Sequence, residues 1–161
     1  MKIIIKSRQE IEALSNKPFS NRTALISITD VNDFPVKLIN HPEFLIRVSF
    51  DDVDNDVIVD EVRGRGTEDE IKMIEEKYHM FTDNIANEIA KFYLSHCDKT
   101  DLLICQCEHG QSRSAAIAAA ILEFRARKGI IVFSDDRYYP NKVVFRKLLR
   151  ALNAEFLNTN V

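Results

Sequence analysis

The chain has 161 residues, 45% of them apolar and 29% charged, with a net charge of −3. That length suits one domain with its own core, and the composition argues against a disordered chain. The slightly acidic balance gives no reason to expect general nucleic-acid binding, no apolar run approaches the length that spans a bilayer, and Met1–Lys6 is too short for a secretory signal. A single domain over residues 1–161 is expected, in the cytoplasm and away from membranes. Three cysteines, an odd number without metal-ligand spacing, fit reduced thiols better than a disulfide framework.

In chain order, Lys2–Ile5 reads as a first strand, and Ser7 followed by Glu10 resembles a capping box that opens a helix to about Leu14. Thr23–Ile28 is a second strand, closed by the polar turn Thr29-Asp30-Val31-Asn32-Asp33. Phe44–Phe50 is a third, with Leu45, Arg47 and Ser49 alternating against Phe44, Ile46, Val48 and Phe50. Asp51–Gly66 is acidic first and carries Arg63, Gly64 and Arg65 at its end. It reads as a long exposed loop, with Val57–Val59 as a candidate short strand. Thr67–Cys97 has helical spacing from a cap at Thr67 and Glu70, as one long helix or two abutting ones. Leu102–Cys105 is a continuous apolar run, the pattern of a strand covered on both faces. Ser114–Lys128 is helical with a small face of Ala115, Ala118, Ala119 and Leu122, and Pro140-Asn141 starts a last helix to about Phe156. Strands alternating with helices predict an α/β domain with a central, mainly parallel sheet flanked by helices.

The chemistry concentrates after the fourth strand, in Cys107-Glu108-His109-Gly110-Gln111-Ser112-Arg113-Ser114. A cysteine six positions before an arginine is weak evidence alone. Gly110 in mid-loop, Ser114 after the arginine, a strand before and a helix after make a chance occurrence rare. The alternative is an ordinary strand-to-helix turn. As chemistry, the segment reads as a phosphate-binding loop with Cys107 as the nucleophile at its floor. A thiol attacks phosphorus as thiolate, so it needs a positive setting, which inward-turned amides, the helix N-terminus and Arg113 would supply. The guanidinium grips two phosphate oxygens as a planar fork, and Gly110 allows the inward curve. The Ser114 hydroxyl can donate to the sulfur, and hydrolysis would split in two through a phosphocysteine. A carboxyl must protonate the leaving oxygen, and the acidic stretch from Asp51 to Asp56 is the candidate source.

These residues resemble the signature loop of the cysteine-dependent protein tyrosine phosphatases, and the chain looks most like their compact dual-specificity branch. Val48-Ser49-Phe50-Asp51-Asp52 is similar to the strand that delivers the family's general-acid aspartate, which by that register is Asp52, with Asp51 and Asp54 as alternatives. Phe81 with the Ile85–Phe92 helix precedes the nucleophile strand as in the family, and Pro140-Asn141 with Phe145 and Leu148-Leu149 is similar to its last helix. The resemblance covers roughly Phe44–Phe156. Two departures stand out: Gln106 occupies the position usually held by histidine, and Val53–Gly66 looks like an insertion that would make a flap.

The resemblance implies a dual-specificity-phosphatase-like fold and a phosphomonoester hydrolase, a protein tyrosine or dual-specificity phosphatase. Cys107, Arg113, Ser114 and Asp52 would be catalytic, Glu108 to Arg113 would form the phosphate loop, and no metal or cofactor is expected. A phosphorylated protein or peptide is the expected partner. The rivals are a phosphatase for a phosphoinositide or an RNA 5′ phosphate, and a phosphate-binding module without turnover. His109 reads as a rim or surface group, and His41, His79 and His96 lack ligand spacing. Cys97 reads as an inert thiol and Cys105 as a small core residue in preference to a redox partner. Arg63 and Arg65 read as solvated in preference to meeting an anionic substrate. Asn141 serves as a helix cap that could also brace the loop.

Overall fold

A computed structural model of the protein describes residues 1–54 and 66–159. Four strands, β1 (Lys2–Ser7), β2 (Thr23–Thr29), β3 (Phe44–Ser49) and β4 (Leu102–Cys107), form one sheet in the order β1-β4-β2-β3. Every neighbouring pair is parallel, so the expected mainly parallel sheet is wholly parallel among the described residues. The candidate strand Val57–Val59, and Arg63 with Arg65, lie outside the described residues.

The helices are α1 (Arg8–Leu14), α2 (Glu68–Lys77), α3 (Asp83–His96), α4 (Arg113–Ala126), α5 (Ile130–Phe133) and α6 (Lys142–Thr159), with a 3-10 turn at Cys97–Lys99. Alternation along the strands divides the core between the two sheet faces. Ala24, Ile26, Ile28, Leu103, Cys105 and Cys107 share one cluster with apolar residues of α3, α4 and α6. On the other face Leu25 and Ile104 pack with Ile11 of α1 and with Val36 from the β2–β3 connection. Burial on both faces is why Leu102–Cys105 of β4 reads as a continuous apolar run.

Local signals in the sequence set most boundaries. Ser7 and Glu10 form a capping box at α1, and Thr67 and Glu70 form another at α2. The segment from Thr67 to Cys97 is two helices, because Met80 and Phe81 are drawn into the core between them and Thr82 caps α3 by accepting from the Ile85 amide. The short α5 was not anticipated. It forms after Arg127 ends α4 in the left-handed region (φ 56°) and the Gly129 amide donates to the Glu123 carboxylate at 3.0 Å.

A parallel sheet delivers the C-terminal ends of all its strands to one edge, where the loops after them can converge on a ligand. Here those are the turn after β2, Phe50–Asp54 after β3 and the Cys107 loop after β4. Helix α4 behind that loop is packed through small side chains. Ala119 is fully buried in a cluster with Val132 of α5, and its carbonyl lies where a Cβ on Gly129 would meet it at 2.8 Å. Ala119→Leu should therefore overpack the α4–α5 contact and cost about 1–3 kcal/mol, read from urea unfolding.

Candidate active site

The Cys107–Arg113 loop is held from below by the first strand and helix. Ser7 pairs in register with Cys107, and the Arg8 amide donates to the Glu108 carbonyl at 3.0 Å. Gly110 has φ +69°, and a Cβ there would lie 2.6 Å from the Ser7 nitrogen and 2.8 Å from the Lys6 carbonyl carbon. Backbone conformation and close approach thus both demand glycine at this one position. On the other side the Tyr139 amide donates to the Gln111 carbonyl at 2.9 Å. His109 and Gln111 are exposed, as an inward-turned backbone requires, and Glu108 is half-buried in an ion pair with Arg8 at 2.5 Å.

Cys107 is 2% exposed, and its Sγ lies 3.0 Å from the Ser114 hydroxyl, which is itself buried. Ser112 stands at the N-cap of α4 but makes no side-chain cap. Its hydroxyl donates instead to Asp52 Oδ1 at 2.9 Å. A serine in that position ordinarily satisfies a first-turn amide. Here the positive end of α4 is left for an anion in the loop.

Arg113 is 4% exposed although it carries a full charge. Its Nη1 donates to Asp30 Oδ1 and, at 2.7 Å, to the Phe50 carbonyl, and its guanidinium lies 5.9 Å from the Phe50 ring centre. Phe50 in turn packs on Phe81 at 4.7 Å. Nε is different: among the described residues it is a buried side-chain nitrogen with no hydrogen-bond partner. A buried donor left unpaired costs free energy of about 1–3 kcal/mol, which a bound acceptor would recover.

Of the candidate acids, Asp52 is the one on the loop. Its Oδ1 accepts from Ser112 and from Asn141 Nδ2, both at 2.9 Å, and its Oδ2 lies 4.0 Å from Arg113 Nε. Asp51 turns elsewhere, its carboxylate accepting from the Val31 amide at 3.0 Å and facing His79 Nδ1 at 3.2 Å. Asp54 is exposed. Asn141 caps the last helix as expected, and what it braces is the segment after β3 and not the Cys107 loop itself. Its Oδ1 accepts from the Val143 and Val144 amides at the start of α6, while Nδ2 also donates to the Val53 carbonyl at 3.1 Å.

Gln106 is buried on the opposite sheet face, where its Oε1 accepts from Ser27 of β2 at 2.7 Å. Cys105 is fully buried in the main core, and burial pushes its thiol far above the ordinary cysteine value. Cys97 is half-buried, its thiol also raised by burial and by Asp98. No three His, Cys, Asp or Glu residues converge as metal ligands among the described residues. Asp30 and Arg8 escaped the sequence reading. The available signal for Asp30 was its place directly after a buried strand of a parallel sheet, at the edge where such sheets bind ligands.

No protein-family model matches the chain, and no curated protein matches it. Among solved structures it is similar to the crystal structure of PTPMT1, at 12% identity and a TM-score of 0.44, over 98% of this chain and 94% of that one. At that distance the chemistry has to be read from the site itself.

Gly110→Ala tests the loop's construction without reference to any ligand. The added methyl meets backbone atoms of Lys6 and Ser7, which cannot swing aside as a side chain could. The variant should lose on the order of 1–3 kcal/mol of stability and show faster amide exchange across residues 107–113, by hydrogen-exchange mass spectrometry.

Proposed function

We propose that the protein is a phosphomonoester hydrolase that works through a phosphocysteine intermediate, acting on a phosphorylated protein or peptide as a tyrosine or dual-specificity phosphatase. The observation that carries the reading is Arg113: a buried guanidinium fixed through Nη1, with Nε unpaired, in the loop that begins at a buried cysteine.

In the first step the Cys107 thiolate attacks phosphorus while Arg113 and the loop amides hold the non-bridging oxygens. The bond to the leaving oxygen breaks, and Asp52 gives that oxygen a proton. In the second step Asp52, now a carboxylate, takes a proton from water as the water attacks the phosphocysteine. Inorganic phosphate leaves, and Ser114 donates its hydroxyl to the departing sulfur. Asp52 is the acid in this scheme because it touches the loop through Ser112, whereas Asp51 is engaged with Val31 and His79.

The surroundings of the loop support a monophosphate on a protein over a polyphosphate or a phosphoinositide. Arg8, the cation nearest Glu108, is already paired with Glu108 and Asp33. The side chains that meet Ser112 and Arg113 of the loop, Asp52 and Asp30, are acidic. Neither a metal nor a cofactor enters the scheme. No described helix is long and apolar enough to cross a membrane, and we place the activity in the cytoplasm.

The test is turnover of phosphotyrosine, phosphoserine/threonine, phosphoinositide and RNA 5′-phosphate substrates by wild type and variants. Cys107→Ser should fold, bind phosphate and lose turnover, and Arg113→Lys should be nearly as inactive because a single ammonium cannot make the two-point grip. Phosphate bound by wild type with no turnover of any substrate would make the protein a binding module. Asp52→Asn should slow esters with poor leaving groups by on the order of 10²–10⁴ and activated esters much less. Asn141→Asp keeps the acceptor that caps α6 but sets a second carboxylate against Asp52. It should melt near wild type and lose about tenfold in kcat, read from thermal denaturation and steady-state kinetics.

A further inference from the structure

We propose that Asp30, the first residue after β2, is a positioning residue that selects which edge of the Arg113 guanidinium meets the phosphate, an inference that rests on the phosphatase reading above. A guanidinium can grip a tetrahedral anion along two edges, Nη1 with Nη2 or Nη2 with Nε. Nη1 of Arg113 is occupied, since Asp30 Oδ1 and the Phe50 carbonyl both accept from it. The edge left for a ligand is the one that carries Nε, and Nε is the buried nitrogen without a partner.

The two acceptors of Nη1 come from different strands, Asp30 from the end of β2 and Phe50 from the end of β3. Those ends are themselves locked together, the Phe50 amide donating to the Thr29 carbonyl at 3.0 Å and the Ser49 hydroxyl donating to the Asp30 carbonyl at 3.2 Å. Asp30 is thus held by the sheet and not by a free loop. Its carboxylate, though 42% exposed as a side chain, is aimed at Nη1 rather than at solvent. A backbone carbonyl alone fixes one hydrogen of Nη1, and the Asp30 carboxylate stops the planar group from turning about its long side chain. The benefit is specific to the transition state, whose equatorial oxygens must meet both donors of the fork at once. A ground-state phosphate tolerates a looser fit.

The experiment compares wild type, Asp30→Ala and Asp30→Asn for turnover of an aryl phosphate and for binding, by calorimetry, of inorganic phosphate and of orthovanadate, which mimics the transition state because it becomes five-coordinate when a thiolate adds to it. Asp30→Ala should lose on the order of 10–100-fold in kcat and weaken orthovanadate by a similar factor, while phosphate affinity moves by less than about threefold. Asp30→Asn keeps an acceptor for Nη1 and should recover most of that loss. A merely structural role would lower kcat through lost folded protein and leave both affinities of the folded fraction unchanged, which overturns the proposal. Equal weakening of phosphate and orthovanadate overturns it too, as does an Asn variant no better than Ala. If wild type turns over no phosphate ester, the phosphatase reading fails separately, and the difference between the two anions, which needs no turnover, still decides the role of Asp30.

Discussion

A guanidinium buried to the extent of Arg113 has to be paired, because the cost of removing the charge from water is recovered only by good hydrogen bonds. Its partners at Nη1 come from the turn after β2 and the residue after β3, while Arg113 itself opens the helix that follows β4. One side chain therefore joins three strand ends. The join is possible only in this sheet order: β2 lies between β3 and β4, and all run parallel, so their C-terminal ends emerge side by side. Any register slip in β2 or β3 would carry Asp30 or Phe50 away from the arginine. Fold and site are in this sense a single constraint, with the sheet positioning the acceptors and the arginine rewarding the alignment.

Asp52 shares that small space with the arginine's unpaired nitrogen. As a carboxylate it accepts from Ser112 and Asn141 and lies 4.0 Å from Nε, near where a phosphate oxygen would have to sit. A carboxylate and a phosphate oxygen drawn to one nitrogen would repel each other, the more weakly because Asp52 is partly in water. In the proposed reaction the proton passed from Asp52 to the leaving oxygen is spent at this same crowded point. Asn141 presents a donor to Asp52, since its carbonyl is committed to capping α6 and only its amide group can face that carboxylate. The start of the last helix and the Asp52 carboxylate are thus aligned by one side chain whose two ends cannot be exchanged.

The nucleophile loop was legible because its demands are local. A buried strand, a glycine needing positive φ, an arginine and a helix N-terminus must follow one another within a few residues, and the structure has them in that order. Capping boxes at Ser7 and Thr67 and the apolar run of β4 were legible for the same reason. What escaped depends on contacts far apart in the chain. Arg113 and Asp30 are 83 positions apart, and the place of Asp30 after a buried strand marks an edge of the sheet without naming the arginine as its partner. The division of Thr67–Cys97 into two helices follows from burial of Met80 and Phe81, a tertiary effect on a segment whose spacing is helical throughout. Helix α5 is only four residues long, too short for periodicity to announce it. That Asp51 turns to Val31 and His79 while Asp52 meets Ser112 and Asn141 rests on distant partners, which neither spacing nor composition contains.

Cys105 and Cys107 show how far position outweighs residue type. They are two residues apart on one strand, face the same side of the sheet and belong to the same apolar cluster. Cys105 lies within the strand, enclosed by side chains that offer its sulfur no donor, and burial there favours the neutral thiol so strongly that it behaves as a small hydrophobe. Cys107 is almost equally buried, but it is the last residue of the strand. Beyond it the chain opens into a loop, the Ser114 hydroxyl stands 3.0 Å from its sulfur, and α4 begins six residues later with its first-turn amides free of a side-chain cap. The end of a strand thus brings a hydroxyl and a helix start to the second sulfur, where the first meets the walls of the core. The strand's last step, from Gln106 to Cys107, is where the core ends and the chemistry can begin.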